Sequence, residues 1–369
     1  MLKKGTMIDA ARLERQLHER YAPLLRMCRT GGLADCIADI RVVVIPGSEP
    51  PWTDTSMDLA PDEQLTILGD GRVVLNEALG LWFGPRVYLW RRISEAGPVF
   101  RGARETATHR IAKAGRLFLG IYPGGWTTPQ GDYEGATPLG GALGAVLIRW
   151  RSDARVGLDA VARLMPGDAL VSAEIARLDA PTPKPAGWEP LWRVGDTDLF
   201  SSAATGGRAV IRVRPDNEAA ILIRRVSARL TPTTRLRWSW CIEQLPSPVA
   251  EDQPFTHDYL SIAVEFENGQ DLTYYWSATL PEETAYRCPL PWWDRHETHI
   301  AVRSGAPGLG VWRSEERHVR ADYQRAVGEP PERIVAVWLI AVSLFSHSRG
   351  AADFAEVAIE DERERVPVL

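Results

Sequence analysis

A chain of 369 residues with 45% hydrophobic and 25% charged residues has the make-up of a globular protein, and its length allows two domains with separate cores. Its net charge of −5, with acids and bases interspersed, offers no basic field and excludes nucleic acid as the expected partner. No run approaches the roughly 18 uninterrupted apolar residues of a spanning helix, so no membrane partner is expected.

In chain order, Ile8, Leu13, Leu17, Tyr21, Leu24 and Leu25 recur at three- and four-residue steps, which predicts a helix over 8–30 stopped by Gly31-Gly32. A second short helix is predicted at 33–38. The start of the chain is basic but has no apolar stretch of signal-peptide length, because charges recur at Asp9, Arg12, Glu14, Arg15, Glu19 and Arg20. A cytoplasmic location is therefore expected.

From Arg41 the pattern changes to strands. RVVVIPG is a β-branched run ended by Pro and Gly, QLTILGDGRVVL reads as two runs joined at Gly69-Asp70-Gly71, and RVYLWRRI, GRLFLGIYPGG and GALGAVLIRW follow. LDAVARLM, within the ambiguous stretch 154–176, reads as a short helix. The segment 179–190, DAPTPKPAGWEP, is rich in Pro and small residues and marks a linker. Beyond it, LRWSWCI, YLSIAVEF, LTYYWSA, THIAVRS, IVAVWLIAVSLF and DFAEVAI alternate or run apolar as strands do.

The fold class expected is thus mainly β: two antiparallel sandwich or jelly-roll domains with an N-terminal helix. The divisions are 1–40 helical, 41–178 sandwich, 179–190 linker and 191–369 sandwich.

The arm 301–328 draws the most attention. Gly305, Gly308 and Gly310 suit a turn, and VWRSEERHVRADYQRAVG then alternates charges densely. One reading is a solvated edge with surface ion pairs. The other brings Arg303, Arg313, Asp322, Tyr323 and Arg325 together as a rim over a cleft, where arginine forks suit carboxylate or phosphate and an Asp-Tyr pair suits hydroxyls. In THDYLSIAVEF and LTYYWSA, joined by a hairpin turn at Asn268-Gly269, an acid, a His and aromatics share a neighbourhood. That set fits a sugar platform or an acid–base site. In PWWDRHETH two histidines three apart with Asp294 and Glu297 invite a metal reading, but on a strand His296 and His299 fall on opposite faces; Asp294 with His296 is an alternative acid–base pair or part of a surface loop. His109 reads as a surface residue. Cys28, Cys36, Cys241 and Cys288 show no CxxC spacing, so they read as reduced structural thiols rather than a zinc site. The 14 Trp either fill β cores or meet a flat ligand. GxSxG, Walker A, strand-to-helix GxGxxG and HExxH motifs are absent, which disfavours serine hydrolases, nucleotide binders and zincins.

The succession LRWSWCIEQLP, HDYLSIAVEF, LTYYWSATLP and AVRSGAPGLGVWRSEERHVRADYQRAVGEPP resembles the bacterial domain-of-unknown-function family 3047 over roughly residues 190–360. The resemblance implies an acid–aromatic element at His257-Asp258-Tyr259 and a Tyr-x-Trp strand at Tyr274-Tyr275-Trp276. The family's Asp-Thr-Asp segment before the last strand is replaced here by AVSLFSHSRGAADF, so roles tied to those acids do not carry over. PPWTDTSMDLAPDEQLTILGDGRVVL and GRLFLGIYPGGWTTPQGDYEG, within residues 41–152, are similar to the opening of PA-I type galactose-binding lectin domains. That likeness implies a calcium-held sugar, yet Asp132 and Glu134 fall short of the six to eight oxygens calcium takes.

The function expected first is binding of a carbohydrate-like or other polyhydroxylated or aromatic small molecule, with Trp276, Tyr274 and Trp312 stacking and Asp258, Arg303, Asp322, Tyr323 and Arg325 bonding. The alternative is a cofactor-independent lyase, hydratase or hydrolase, with Asp258 or His257 as base, Tyr259 or Tyr274 as acid and Asp322 assisting. A third is an assembly protein, a homo-oligomer joined through the N-terminal helix and sheet edges. No metal and no cofactor, calcium aside, is expected.

Overall fold

Three- and four-residue spacing at the start of the chain produces helices α1 (Ala10–Arg20) and α2 (Ala22–Arg29) in the computed structural model, which describes residues 9–49, 51–135 and 138–369. Ile8 and the basic start of the chain lie outside the described residues, as does Pro50 of the lectin-like motif. Asp9 caps α1 by accepting the Arg12 amide at 2.7 Å. The second helix predicted at 33–38 does not form. Residues 31–36 are turns, and the β-branched run draws the chain into β1 (Ile37–Pro46).

The first compact unit ends at Pro181. Its further elements are β2 (Trp52–Leu59), β3 (Gln64–Asn76), β4 (Leu81–Phe83), α3 (Pro85–Tyr88), β5 (Leu89–Ile93), β6 (Thr106–Arg110), β7 (Gly115–Ile121), β8 (Gly140–Trp150), α4 (Ala154–Leu164) and α5 (Ala169–Asp179). Among the described residues β1, β8, β3, β4 and β6 make one antiparallel sheet, and β2, β7 and β5 a second. Leu13 and Leu17 of α1, Tyr21 at its C-terminal cap, and Leu158 and Val161 of α4 bury against Val146 and Ile148 of β8.

QLTILGDGRVVL is one continuous strand, not the expected pair of runs. Its glycines serve close approach rather than a hairpin. A Cβ on Gly69 would stand 2.7 Å from Pro85, and one on Gly71 2.5 Å from the Ala142 carbonyl. The ambiguous stretch 154–176 carries two helices of 11 residues each, started by Asp153 and Asp168 through their side chains.

The second unit runs from Thr182 to Leu369. It comprises β9 (Glu189–Pro190), β10 (Phe200–Thr205), β11 (Arg208–Val213), β12 (Ala219–Arg229), β13 (Arg235–Gln244), β14 (Leu260–Phe266), β15 (Asp271–Ser277), β16 (Ala285–Arg287), β17 (Glu297–Ser304), β18 (Arg313–His318), α6 (Val319–Ala326), β19 (Arg333–Val342), β20 (Ala351–Glu360) and β21 (Arg365–Pro367). Among the described residues these form a seven-stranded sheet ordered β16-β17-β15-β14-β19-β12-β9 and a six-stranded sheet built on β10-β11-β20-β13-β18.

Alternation along the strands decides what lies between the sheets. Trp238, Trp240 and Ile242 of β13 and Phe354 of β20 pack with Ile262 and Val264 of β14, Tyr274 and Trp276 of β15, and Leu339 of β19. The protein is mainly β, as the turn-punctuated runs predict. The sheet is not wholly antiparallel: β15 and β17 run parallel, because the 19-residue connection between them, residues 278–296 holding β16, crosses back to start β17 beside the start of β15. β14 and β15 form the expected antiparallel hairpin, with Gly269 at φ +75 in its turn. Among the described residues no helix is long and apolar enough to cross a membrane.

Candidate functional site

The arm is a strand and a helix of the second unit rather than a rim over a cleft. Residues 313–318 hydrogen-bond along β13 as the edge strand β18, and α6 follows. Its charges pair within the arm, with β13 and with Glu283. Arg303 forks onto Glu315 at 2.9 and 3.0 Å, and Glu315 also accepts from Trp240 Nε1 at 3.1 Å. Arg317 holds Asp322 through two bonds of 2.8 Å, and Arg325 adds a third at 3.1 Å. Glu283 pairs with both arginines, and they draw its carboxyl down to about 2. Tyr323 is buried, its hydroxyl accepting from Asn268 at 2.8 Å.

Tyr274 and Trp276 point into the sandwich. Tyr274 stacks on Trp238 and donates to Asp322 at 3.1 Å, and burial with Asp322 beside it pushes the phenol up. Trp276 donates to the Gly305 carbonyl at 2.9 Å. Asp258 accepts the Phe345 and Ser346 amides at 3.0 and 2.6 Å and so anchors that loop, while burial raises its pKa. Of the expected set, Tyr274 and Trp276 therefore share the interior, while His257 and Tyr259 lie together elsewhere. His109 is not a free surface group: it packs on Phe100 and against the Arg91 guanidinium, because β6 lies beside β3 within the sheet. In the lectin-like stretch Trp52 stacks on Trp126 at 5.2 Å, and Asp132 accepts from Thr128 at 2.8 Å. His296 lies against Trp292 in the turn before β17.

Two polar constellations remain. The first lies on the outer surface of the six-stranded sheet. β20 carries one extra residue opposite β13, between the pairs Ser239↔Ala355 and Arg237↔Ala358. Glu356 sits in this bulge at φ +56, a left-handed conformation that costs a residue with a side chain roughly 1–2 kcal/mol. The bulge turns Glu356 outward. It accepts from Ser239 Oγ at 2.7 Å and faces Arg208 at 3.4 Å; Ser314 lies 3.0 Å from Ser239, and the Arg208 guanidinium covers the Trp312 ring at 4.5 Å. Of the expected ligand residues, Trp312 alone reaches this surface among the described contacts.

The second lies on the outer surface of the seven-stranded sheet. Glu297 and His299, two apart on β17, share a face with Asp271 and Thr273 of β15 through the parallel register. Loops bring His257 and Cys288 over them, and all four side chains of His257, Cys288, Glu297 and His299 are buried. Burial, then the neighbouring His299, drives His257 down to about 3, so the ring is neutral. Burial beside Glu297 pushes Asp271 up. Half of this set carries a signal in the sequence, the Glu-x-His spacing of Glu297 and His299 on a strand, which the pairing of His296 with His299 passed over. Cys288 had no local signal.

The fold and these surfaces define a β-sandwich protein. Residues 186–358 match the model of a family described as a protein of unknown function, DUF3047, which bears out the likeness carried by the C-terminal motifs. No curated protein matches the sequence. Among solved structures, the chain is similar to the family 30 carbohydrate-binding module of the cellulosomal cellulase Cel9D-Cel44B of Clostridium thermocellum, with 10% identity over 50% of this chain and 96% of that one and a TM-score of 0.28. It is also similar to the xyloglucanase domain of NopAA, a type three effector from Sinorhizobium fredii, with 8% identity over 50% of this chain and 97% of that one and a TM-score of 0.30.

Proposed function

We propose that the second unit is a binding module for a polyhydroxylated, carbohydrate-like small molecule, received on the outer surface of the six-stranded sheet around Trp312, Arg208, Glu356, Ser239 and Ser314. The observation that carries the reading is the left-handed Glu356 at the bulge. Exposed ion pairs such as Arg208–Glu356 contribute little to stability, so a strained backbone that presents one is poorly accounted for by folding alone. The groups it presents have the chemistry of sugar recognition. A carboxylate and a guanidinium bond vicinal hydroxyls in pairs, serine hydroxyls donate and accept, and an indole receives the apolar side of a pyranose ring once the guanidinium swings off it.

The test is a thermal-shift and calorimetric screen against neutral sugars, sugar acids and oligosaccharides, with mass spectrometry of each mixture. The module reading expects saturable stabilisation by a sugar recovered unchanged, and at least tenfold weaker binding in Trp312→Ala. Equal binding by Trp312→Ala, or no response to any sugar, defeats it. A sugar converted to product moves the assignment to the acid–base alternative.

A further inference from the structure

From a different surface of the same unit, we propose that His257, Cys288, Glu297 and His299 form a closed centre for a divalent transition metal, with zinc(II) as the ion the donors suit best. The four ligand atoms, two imidazole nitrogens, a sulfur and a carboxylate oxygen, all lie within 4.8 Å of one another. Zinc bonds of about 2.0–2.3 Å set in a tetrahedron require donors roughly 3.3–3.8 Å apart, so a small contraction closes the shell. Two pairs already stand at that spacing: His257 Nε2 to Cys288 Sγ at 3.4 Å and His299 Nε2 to Glu297 Oε2 at 3.4 Å.

Groups around the centre orient the donors inward. The Glu251 carbonyl is 2.5 Å from His257 Nδ1, and a carbonyl only accepts, so Nδ1 bears the proton and Nε2 presents its lone pair toward Cys288. Glu297 Oε1 accepts from Tyr259 at 3.3 Å and from Thr273 at 3.0 Å, leaving Oε2 to the centre. His299 is wholly buried; its Nδ1 has no hydrogen-bond partner, and its Nε2 meets Glu297 Oε2 at 3.4 Å. A buried polar ring with so few partners is costly in a folded interior. A cation bound at Nε2 gives that nitrogen and the facing carboxylate a common partner.

The donor set also selects the ion. Thiolate and imidazole disfavour calcium and magnesium, which take oxygen ligands, and favour zinc or its neighbours in the first row. Binding replaces the Cys288 thiol proton, which leaves to solvent, and the thiolate and the Glu297 carboxylate together balance the two positive charges. All four positions are filled by protein, so the centre is of the structural kind. It ties the loop bearing His257 and the loop bearing Cys288 to β17.

The test uses the full untagged chain, stripped with a chelator and titrated with zinc(II) and, as a spectroscopic probe, cobalt(II). Elemental analysis is expected to give one zinc per chain, with the unfolding temperature rising several degrees on zinc addition. The cobalt form is expected to show a thiolate charge-transfer band and the visible bands of a four-coordinate ion. Cys288→Ser removes the charge-transfer band, and His299→Gln lowers zinc affinity at least tenfold, whereas His296→Asn, outside the centre, changes neither. Wild-type chain that takes up no stoichiometric zinc, or a cobalt form without a thiolate band, overturns the proposal whether or not the variants fold. Sugars play no part in these readouts, so failure here leaves the carbohydrate reading to its own test.

Discussion

The Nδ1 atom of His257 lies 2.5 Å from the main-chain carbonyl oxygen of Glu251, inside a cluster where His257, Tyr259 and His299 meet ring against ring. The bond fixes one tautomer. Nitrogen–proton correlation spectra of the metal-free chain are expected to show the His257 proton on Nδ1 and none on Nε2; a proton on Nε2 contradicts the geometry.

Asp322 is the hub of the arm, accepting from Arg317, Arg325 and Tyr274 at 2.8–3.1 Å. Replacing it with Ala leaves Arg317 partly buried with only the exposed Glu283 beside it. The expected cost is about 3 kcal/mol in urea unfolding, against about 1 kcal/mol for Tyr274→Phe, which loses one hydrogen bond. Equal effects of the two variants would show the network contributes less than its geometry implies.

Asp353 gives the acid limb of stability. Burial opposes its charge, but Arg212, Thr205 and Arg214 bond the carboxylate and lower its pKa. A lowered folded value means that the stability is present above the unfolded value, near 3.9, and is lost as pH falls through the folded one. Acid titration of unfolding free energy should therefore fall more gently in Asp353→Asn than in the wild type below about pH 4.

His109 acts at higher pH. Burial, then Arg91 and Arg177, holds it well below its ordinary value, so the unfolded chain binds a proton there that the folded chain refuses. Its contribution is intact above about pH 6.5 and declines as pH falls below that. Unfolding temperatures between pH 7.5 and 5.5, set by convention about the histidine range, should drop less in His109→Asn than in the wild type.

Glu356→Gly separates folding from binding. Glycine adopts φ +56 freely, so stability should change by no more than about 1 kcal/mol while the sugar response of the open sheet face is lost. A variant that binds as before removes Glu356 from the proposed site.

The β class, the hairpin at Asn268-Gly269 and the helical start of the chain were legible because each rests on local chemistry: alternation, a turn residue, apolar residues at three- and four-residue steps. QLTILGDGRVVL misled for the same reason, since Gly69 and Gly71 answer to Pro85 and Ala142, neither of which is near in sequence. The arm misled through composition. Dense arginine suggested a ligand, but Glu315, Asp322 and Glu283 were already there to pair with it.

Glu297 and His299 share a face by the two-residue period of a strand alone, and to that extent the sequence determined half of the proposed metal shell. Which partners meet them was decided only by the tertiary structure. The β15–β17 register sets Thr273 beside His299, and two loops from 40 residues before and nine residues before Glu297 bring His257 and Cys288 over the sheet. Periodicity fixes which way a side chain points from its own strand; long-range chain crossing, which no local pattern encodes, fixes what it points at.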